Sequence, residues 1–190
     1  SDTAQAVVSG TDIFSGDTVS ADLATEFDAN LNIKPMATGQ TFLFKAPGDR
    51  FWEYSSSPQG NSYGAIDITA HIPGYLPMDL SWGVVSRSAK LAVFGSPTYP
   101  SKLYVYRYFY DGTAKLQSSW STWEFDPTVL IKGGHFFDNK LMLAVQIQGQ
   151  ALAGFPPAPT DTYSNAWLEL DMDRPNQTGF DYPVHLDAIE

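Results

Sequence analysis

The sequence predicts an all-β protein built from antiparallel strands, and three observations lead to that fold class. Aromatic residues make up 14% of the chain, as 12 Phe, 10 Tyr and 5 Trp, and they favour the pleated, half-buried surface of a sheet. The 15 Gly and 13 Pro supply turns of the kind that join short strands. Side chains also alternate along several segments with the two-residue period of a strand.

Residues 1–78 are predicted to hold a strand, a hairpin and a short helix that lead into the rest of the chain. The apolar run at residues 6–8 indicates a strand, which an extended polar connection follows. Residues 41–44 and 51–54 indicate two further strands. Ala-Pro-Gly-Asp at residues 46–49 is typical of the turn that makes such a pair a hairpin.

One short helix is predicted at Gly64–Ile72. Pro73 would end it, because the residue before a proline avoids the helical region. Asp67 would accept hydrogen bonds from amides at the start of the helix. We expect no other helix in the chain.

A first four-stranded unit is predicted at residues 79–126. In its third strand, tyrosine occupies every second position from Tyr104 to Tyr110, so the four rings share one face. Asp111-Gly112 then offers the positive φ angles that a tight hairpin turn needs. The predicted strands are residues 82–86, 90–94, 102–110 and 115–125.

A second unit is predicted at residues 127–190, with strands at 129–137, 141–147 and 167–172 and an exit segment after them. Residues 82–125 and 128–172 each span about 45 residues. Four-stranded units of that size are typical of β-propeller blades. A β-sandwich with long strands would give a similar spacing of strands along the sequence.

The charge of the chain argues against tight binding of nucleic acid. Its 21 acidic and 11 basic residues give a formal net charge of −10. The basic residues stand singly between Lys34 and Arg174, whereas phosphate binding needs clustered Lys and Arg. DNA could slide past such a surface without adhering, although most acidic proteins are simply soluble.

The cysteine content, the apolar runs and the chain ends limit the classes of site and of protein that the sequence allows. The chain has no Cys, so disulfides and thiolate metal sites are excluded. No apolar run reaches the roughly 18 residues of a membrane-spanning helix. The chain opens without an initiator Met or a signal pattern, and we expect Ser1 and Glu190 to be the ends of a piece of a longer polypeptide.

Three motifs follow one another along the chain. Residues 67–73 read Asp-x-Thr-Ala-His-x-Pro, and residues 103–125 hold an aromatic strand, a turn and Lys-x-Gln-Ser-x-Trp-x-x-Trp. Residues 167–172 are followed by His-Leu-Asp at 185–187. Together these motifs resemble the tail tubular protein B, or nozzle, family of short-tailed bacteriophages. The resemblance implies a basic residue after His-Leu-Asp, where this chain has Ala188. The motif residues are Asp67, Thr69, His71, Pro73, Tyr104, Tyr106, Tyr108, Asp111, Gly112, Lys115, Gln117, Trp120, Trp123, Glu124, His185 and Asp187.

The resemblance covers about Gln5 to Asp187 and implies a structural protein of the virion tail, not an enzyme. Family members are several times longer, so the chain would be a middle-to-late fragment. Such proteins form a homohexameric nozzle through which double-stranded DNA leaves the capsid. The implied partners are further copies of the chain, the tail adaptor (gatekeeper) protein and tail fibres or spikes. Double-stranded DNA would pass without tight binding.

No catalytic, cofactor-binding or metal site is predicted. The sequence has no Gly-x-Ser-x-Gly and no His-Glu-x-x-His, and Lys132-Gly133-Gly134 lacks the context of a phosphate loop. The three histidines, at positions 71, 135 and 185, lack metal-ligand spacing.

Other clusters have simpler explanations as parts of a sheet. Glu169, Asp171 and Asp173 could bind calcium, but a solvated strand edge explains them better. Trp120 and Trp123 could form a sugar-stacking platform, but a spacing of three places them on opposite faces of a strand. The tyrosines admit strand packing, a subunit interface or base stacking, and packing is favoured because a basic groove is missing.

A rival function is a carbohydrate-binding or carbohydrate-active β domain of a phage tailspike or secreted protein. Hydrolysis would need two carboxylates about 5 to 10 Å apart in an aromatic-lined cleft. The sequence does not single out any two acidic residues as such a catalytic pair.

Overall fold

The computed structural model describes residues 5–10, 19–25, 28–30, 32–39, 41–56, 63–111, 115–148, 163–172 and 185–188. These residues form fourteen strands, and no helix occurs among them. The chain divides into two compact units, residues 1–78 and 79–190. All strand pairs are antiparallel, which confirms the predicted fold class.

The first unit holds a two-stranded sheet and a four-stranded sheet, each paired in sequence order. The predicted hairpin at residues 41–54 is confirmed. Its turn is closed by the Ala46 amide, which donates to the Arg50 carbonyl at 2.9 Å. The strands are β1 (Gln5–Gly10), β2 (Val19–Thr25), β3 (Met36–Ala37), β4 (Phe42–Lys45), β5 (Phe51–Ser56) and β6 (Tyr63–Asp67).

The helix predicted at Gly64–Ile72 is wrong. Residues 63–67 form β6, which pairs with β5, and residues 68–71 are turns. The Ile68 amide donates to the Phe51 carbonyl at 3.0 Å, so the contact with β5 continues past the end of β6. Asp67 does accept a backbone amide as predicted, from Thr69 at 2.8 Å, but this bond shapes a turn after a strand. Pairing with β5 outweighs the local helical pattern.

The second unit holds two four-stranded sheets, also paired in sequence order. The strands predicted within residues 82–125 and 129–172 are confirmed, and the turn at Asp138 and Asn139 has the positive φ values of 46° and 61°. Sheet I consists of β7 (Trp82–Ser86), β8 (Leu91–Gly95), β9 (Lys102–Tyr110) and β10 (Lys115–Glu124). Sheet II consists of β11 (Val129–Phe137), β12 (Lys140–Gln148), β13 (Tyr163–Asp171) and β14 (His185–Ala188).

Sheets I and II share one apolar core. In β12 every second side chain from Leu141 to Ile147 is buried, as the two-residue period of a strand requires. Sheet I contributes Leu91, Val93, Leu103, Val105 and Trp123, and sheet II contributes Ile131, Leu141, Leu143, Val145, Ile147, Ala166, Leu168 and Leu170.

Trp82 joins the two sheets at one side of this core. Its indole occupies the space that a side chain would fill at Gly95 in β8, and it also lies close to Gly134 in β11. A Cβ atom at Gly134 would stand 2.9 Å from Leu143 Cδ2 and 3.1 Å from Trp82 Cζ3. Gly95 is therefore required, because the indole packs directly on its backbone, whereas a side chain at Gly134 would only need Leu143 and Trp82 to shift slightly.

Candidate functional surfaces

The motif at residues 67–73 builds a hydrogen-bonded anchor at the end of β6. The Thr69 hydroxyl donates to Asp67 Oδ1 at 2.6 Å, and the Thr69 amide donates to the same oxygen at 2.8 Å. The other carboxylate oxygen accepts from Arg50 Nη1 at 2.5 Å. Thr69 is only 1% exposed, and its hydroxyl oxygen accepts from the Phe51 amide at 3.2 Å. The motif therefore ties the end of β6 to the start of β5.

The anchor favours the charged form of Asp67. Burial alone would raise the pKa of this carboxyl, but the hydrogen bonds from Thr69 and Arg50, together with the guanidinium charge, hold the pKa below its ordinary value of 3.8. Asp67 is thus an ionised structural group in the neutral range.

The remaining residues of this motif face solvent. His71 and Pro73 are exposed. Gly74 follows with a φ of 76°, and its amide donates to Asp49 Oδ2 at 2.6 Å. The chain here forms a surface turn that is held by the Asp49 carboxylate.

The tyrosines of β9 form a buried aromatic row. Tyr106 and Tyr108 are fully buried, with ring centroids 6.0 Å apart. Trp120 in β10 lies 4.9 Å from the Tyr106 ring and 5.7 Å from the Phe94 ring. Cross-strand contacts of this kind add about 0.5 to 1.5 kcal/mol beyond area burial.

The polar ends of these rings have partners inside the sheet. The Tyr106 hydroxyl lies 3.0 Å from the Ser118 hydroxyl, and the Tyr108 hydroxyl donates to the Ser86 carbonyl at 3.4 Å. The Lys115 ammonium lies 5.1 Å from the Tyr106 ring centroid. Since the ring faces are covered, Tyr106 and Tyr108 offer no platform for a base or a sugar.

Trp120 and Trp123 contact opposite faces of sheet I, as their spacing of three predicts. Trp120 packs on Tyr106, whereas Trp123 belongs to the core shared with sheet II. The pair is therefore not a coplanar sugar platform.

The ends of β9 and β10 carry an ion pair. Lys102 Nζ lies 2.6 Å from Glu124 Oε1, and the hydrogen bond and the charge of Glu124 raise the pKa of Lys102. Both side chains are exposed, so solvent screens the pair and its contribution to stability is small.

The face of sheet II that points away from the core carries an open apolar trough of about 510 Å³. Phe137 is 71% exposed and Trp167 is 38% exposed. Lys140 Nζ lies 2.6 Å from Glu169 Oε1 across this face. The lining residues are His135, Phe137, Asp138, Lys140, Met142, Trp167 and Glu169. The sequence alone did not indicate this surface, although Phe137 and Trp167 alternate with core residues in their strands.

Other motif residues are dispersed. Asp111 and Gln117 are exposed, and Gly112 lies outside the described residues, as does Asp173 of the acidic cluster. The backbone of β14 pairs His185 with Glu169 and Asp187 with Trp167. Within the described ranges, no three His, Asp or Glu side chains gather in a way that could hold a metal ion. No helix in the same ranges is long and apolar enough to cross a membrane.

Two sheets on one apolar core, with an aromatic row on the other face of sheet I, define an all-β module. The family model described as bacteriophage nozzle protein matches residues 1–177, and the chain belongs to that family. Tail tubular protein gp12 of Escherichia phage T7 is 28% identical over 135 residues. The match covers 69% of this chain and 17% of that relative. The predicted family and the location in the virion tail are thereby confirmed.

Proposed function

We propose that this chain forms part of the wall of the tail tube through which double-stranded DNA is ejected, as a rigid element without catalytic activity. The observation that carries the proposal is the shared core of sheets I and II, together with membership of the nozzle family. A wall needs a fixed shape under load, and two sheets that share one core provide it.

The proposed architecture is a β-propeller whose blades are the four-stranded sheets. Three sheets of the chain, β3–β6, β7–β10 and β11–β14, are antiparallel and ordered along the sequence, as blades are. We therefore divide the chain at residues 1–78, 79–126 and 127–190. In this arrangement the trough on sheet II is the surface that a following blade would cover.

The proposed assembly is a homohexamer that contacts the tail adaptor protein and tail fibres or spikes. The net charge of −10 supports free passage of DNA, because acidic side chains on the channel wall would repel phosphates. The chain spans 17% of the length of its T7 relative, so these partners belong to the proposal for the whole protein.

The test uses the complete polypeptide that contains this segment. Negative-stain images should show six-fold rings, and phages should carry the protein in their tails. Charge reversal at the exposed residue Asp111 (Asp111→Lys) should slow DNA ejection, and Asp111→Glu should not. A monomer without rings would contradict the proposal.

The trough on sheet II favours one alternative, a carbohydrate-binding domain. Exposed Phe137 and Trp167 lie beside Lys140 and Glu169, and aromatic rings next to polar groups suit sugar binding. A glycan array probed with the complete protein separates the two functions. Binding that Trp167→Ala abolishes would favour the alternative, and its absence together with six-fold rings would exclude it.

A further inference from the structure

The backbones of sheets I and II come closest together near Trp82. β11 is the strand of sheet II that lies against sheet I, and its Cα atoms come within 8 Å of those of β7 and β8. Sheets that pack face to face are usually about 10 Å apart. The spacing along β11 is therefore narrower than usual.

Glycines make this close approach possible. The Trp82 indole lies on Gly95 of its own sheet, where an added Cβ atom would stand only 2.3 Å from indole Nε1. Gly134 of sheet II lies next to the same ring, and a Cβ atom there would stand 3.1 Å from Cζ3. Since neither glycine has a side chain, the indole alone separates the two backbones at this point.

The apolar layer is thicker on the side of β9 and β10. Both sheets contribute side chains there, among them Leu103 and Trp123 from sheet I and Leu168 from sheet II. Within the described residues, β9 and β10 make no backbone approach to sheet II comparable to that of β7 and β8. The space between the sheets is thus a wedge, narrow at the first strand of each sheet and wide at the later strands.

We propose that Trp82, lying between Gly95 and Gly134, sets the angle between sheets I and II. The inference rests on the propeller architecture proposed above, in which successive sheets stand around a central axis. Sheets that radiate from an axis are closest where they meet it, so β7 and β11 would lie nearest the axis. Propellers have about four to eight blades, and the angle between neighbouring blades decides how many blades close the ring. Trp82 is therefore a positioning residue for that closure.

A flat aromatic ring suits this role better than an aliphatic side chain. Aliphatic cores tolerate repacking of their side chains, whereas an indole that lies on a glycine backbone keeps a fixed thickness. Because protein interiors are close-packed, a change in thickness on the narrow side has to be taken up by a rotation of the two sheets about the core that they share. The angle should therefore respond to substitutions at the narrow side.

The test measures the distance between two spin labels, one on each sheet of the intact chain. The chain has no Cys, so introduced cysteines take the labels selectively. Ser119→Cys in β10 and Asn165→Cys in β13 are suitable because both residues are exposed and lie away from the narrow side. Pulsed EPR measures the distance between the labels.

Two substitutions change the thickness of the narrow side in opposite directions. Gly134→Val adds a side chain that displaces Trp82 and Leu143, so the narrow side should open and the labels should move closer together. Trp82→Ala removes the indole, so the narrow side should close and the labels should move apart. Because one layer of atoms is about 3.5 to 4 Å thick, shifts of about 2 Å are expected. Gly133→Ala is the matched control, since a Cβ atom there meets nothing within 4 Å.

A second measurement tests the contact of the indole with Gly95 separately from the angle. Gly95→Ala should lower the urea midpoint of unfolding in the otherwise wild-type chain, because its methyl group overlaps with the indole. It should have little effect once Trp82→Ala has removed the ring. Equal losses in both backgrounds would overturn the proposal.

Label distances that Gly134→Val and Trp82→Ala leave unchanged, or shift in the same direction, would also overturn it. Unchanged distances together with six-fold rings of the complete polypeptide would refute the role of Trp82 and leave the proposed function intact. The expected shifts without such rings would contradict the proposed function, while Trp82 would still set the angle between the two sheets.

Discussion

Asp-x-Thr at residues 67–69 in the first compact unit and Asp-x-Thr at residues 126–128 in the second form similar turns, but the two segments differ in their surroundings. In Asp67-Ile68-Thr69, Asp67 Oδ1 accepts from the threonine hydroxyl at 2.6 Å and from its amide at 2.8 Å. In Asp126-Pro127-Thr128 the corresponding distances are 2.6 and 2.9 Å. The local geometry is thus the same, as expected for short side chains that bond to the backbone two residues on.

The two turns differ in their burial and in the further groups that their side chains contact. Thr69 is buried and also accepts from the Phe51 amide, and Asp67 pairs with Arg50. Asp126 is exposed and Thr128 is half-buried. The first turn is therefore part of the interior of its unit, whereas the second shapes a surface connection between sheets I and II. Equal hydrogen bonds should contribute unequally to stability.

The largest effect is expected for Thr69→Val. Valine has nearly the same shape but no hydroxyl, so the Phe51 amide and Asp67 each lose a buried partner. The loss should lower the free energy of unfolding by about 1 to 3 kcal/mol. Urea unfolding measures the change in the free energy of unfolding. Hydrogen exchange at the Phe51 amide shows whether that amide has lost its protection. A change as small as that of Thr128→Val would contradict the comparison.

A smaller, pH-dependent effect is expected for Asp67→Asn, which keeps an acceptor but removes the charge. The pKa of Asp67 lies below 3.8 in the folded chain, so its charge stabilises the fold above the unfolded pKa. That stabilisation is lost as the pH falls through the folded pKa. Unfolding free energies should differ between wild type and variant at about pH 6, and the difference should shrink as the pH falls below 3.8. A constant difference across that range would contradict this account.

The anchor also shows how far the sequence can predict the fold. Strands β4, β5 and β7–β13 follow from alternation and turn residues within each segment, with small errors at their ends. The segment at residues 64–72 has the pattern of a helix because Asp67 and Pro73 suit helix ends equally well. Its pairing with β5 is a long-range contact that no local pattern contains.

The candidate surfaces, like the strands, can be predicted from the sequence only where they depend on local alternation. The tyrosine row and the opposite faces of Trp120 and Trp123 follow from the period of a strand. The trough on sheet II does not, because exposure of Phe137 and Trp167 depends on which face of the sheet the core occupies.

A modest effect is expected for Arg50→Gln. The Arg50 side chain is 41% exposed. Partly exposed ion pairs contribute little, so a loss of about 0.5 to 1 kcal/mol in the free energy of unfolding is expected. The pKa of Asp67 should rise towards its ordinary value, because one hydrogen bond and one positive charge are removed. An NMR titration of the Asp67 carboxyl measures that pKa, with Arg87→Gln as a control at an exposed turn. An unchanged pKa would show that Thr69 alone sustains the shift.

The smallest effect is expected for Thr128→Val, the matched partner of the Thr69 substitution. Valine keeps the carbonyl that accepts from the Gln148 amide at 2.9 Å, and it keeps the amide that donates to Asp126. The bond it loses is exposed to water, which replaces the missing donor, so the free energy of unfolding should change by no more than about 0.5 kcal/mol. The same urea titration measures it. A loss as large as that of Thr69→Val would mean that the Asp-x-Thr turn itself, and not its burial, sets the stability.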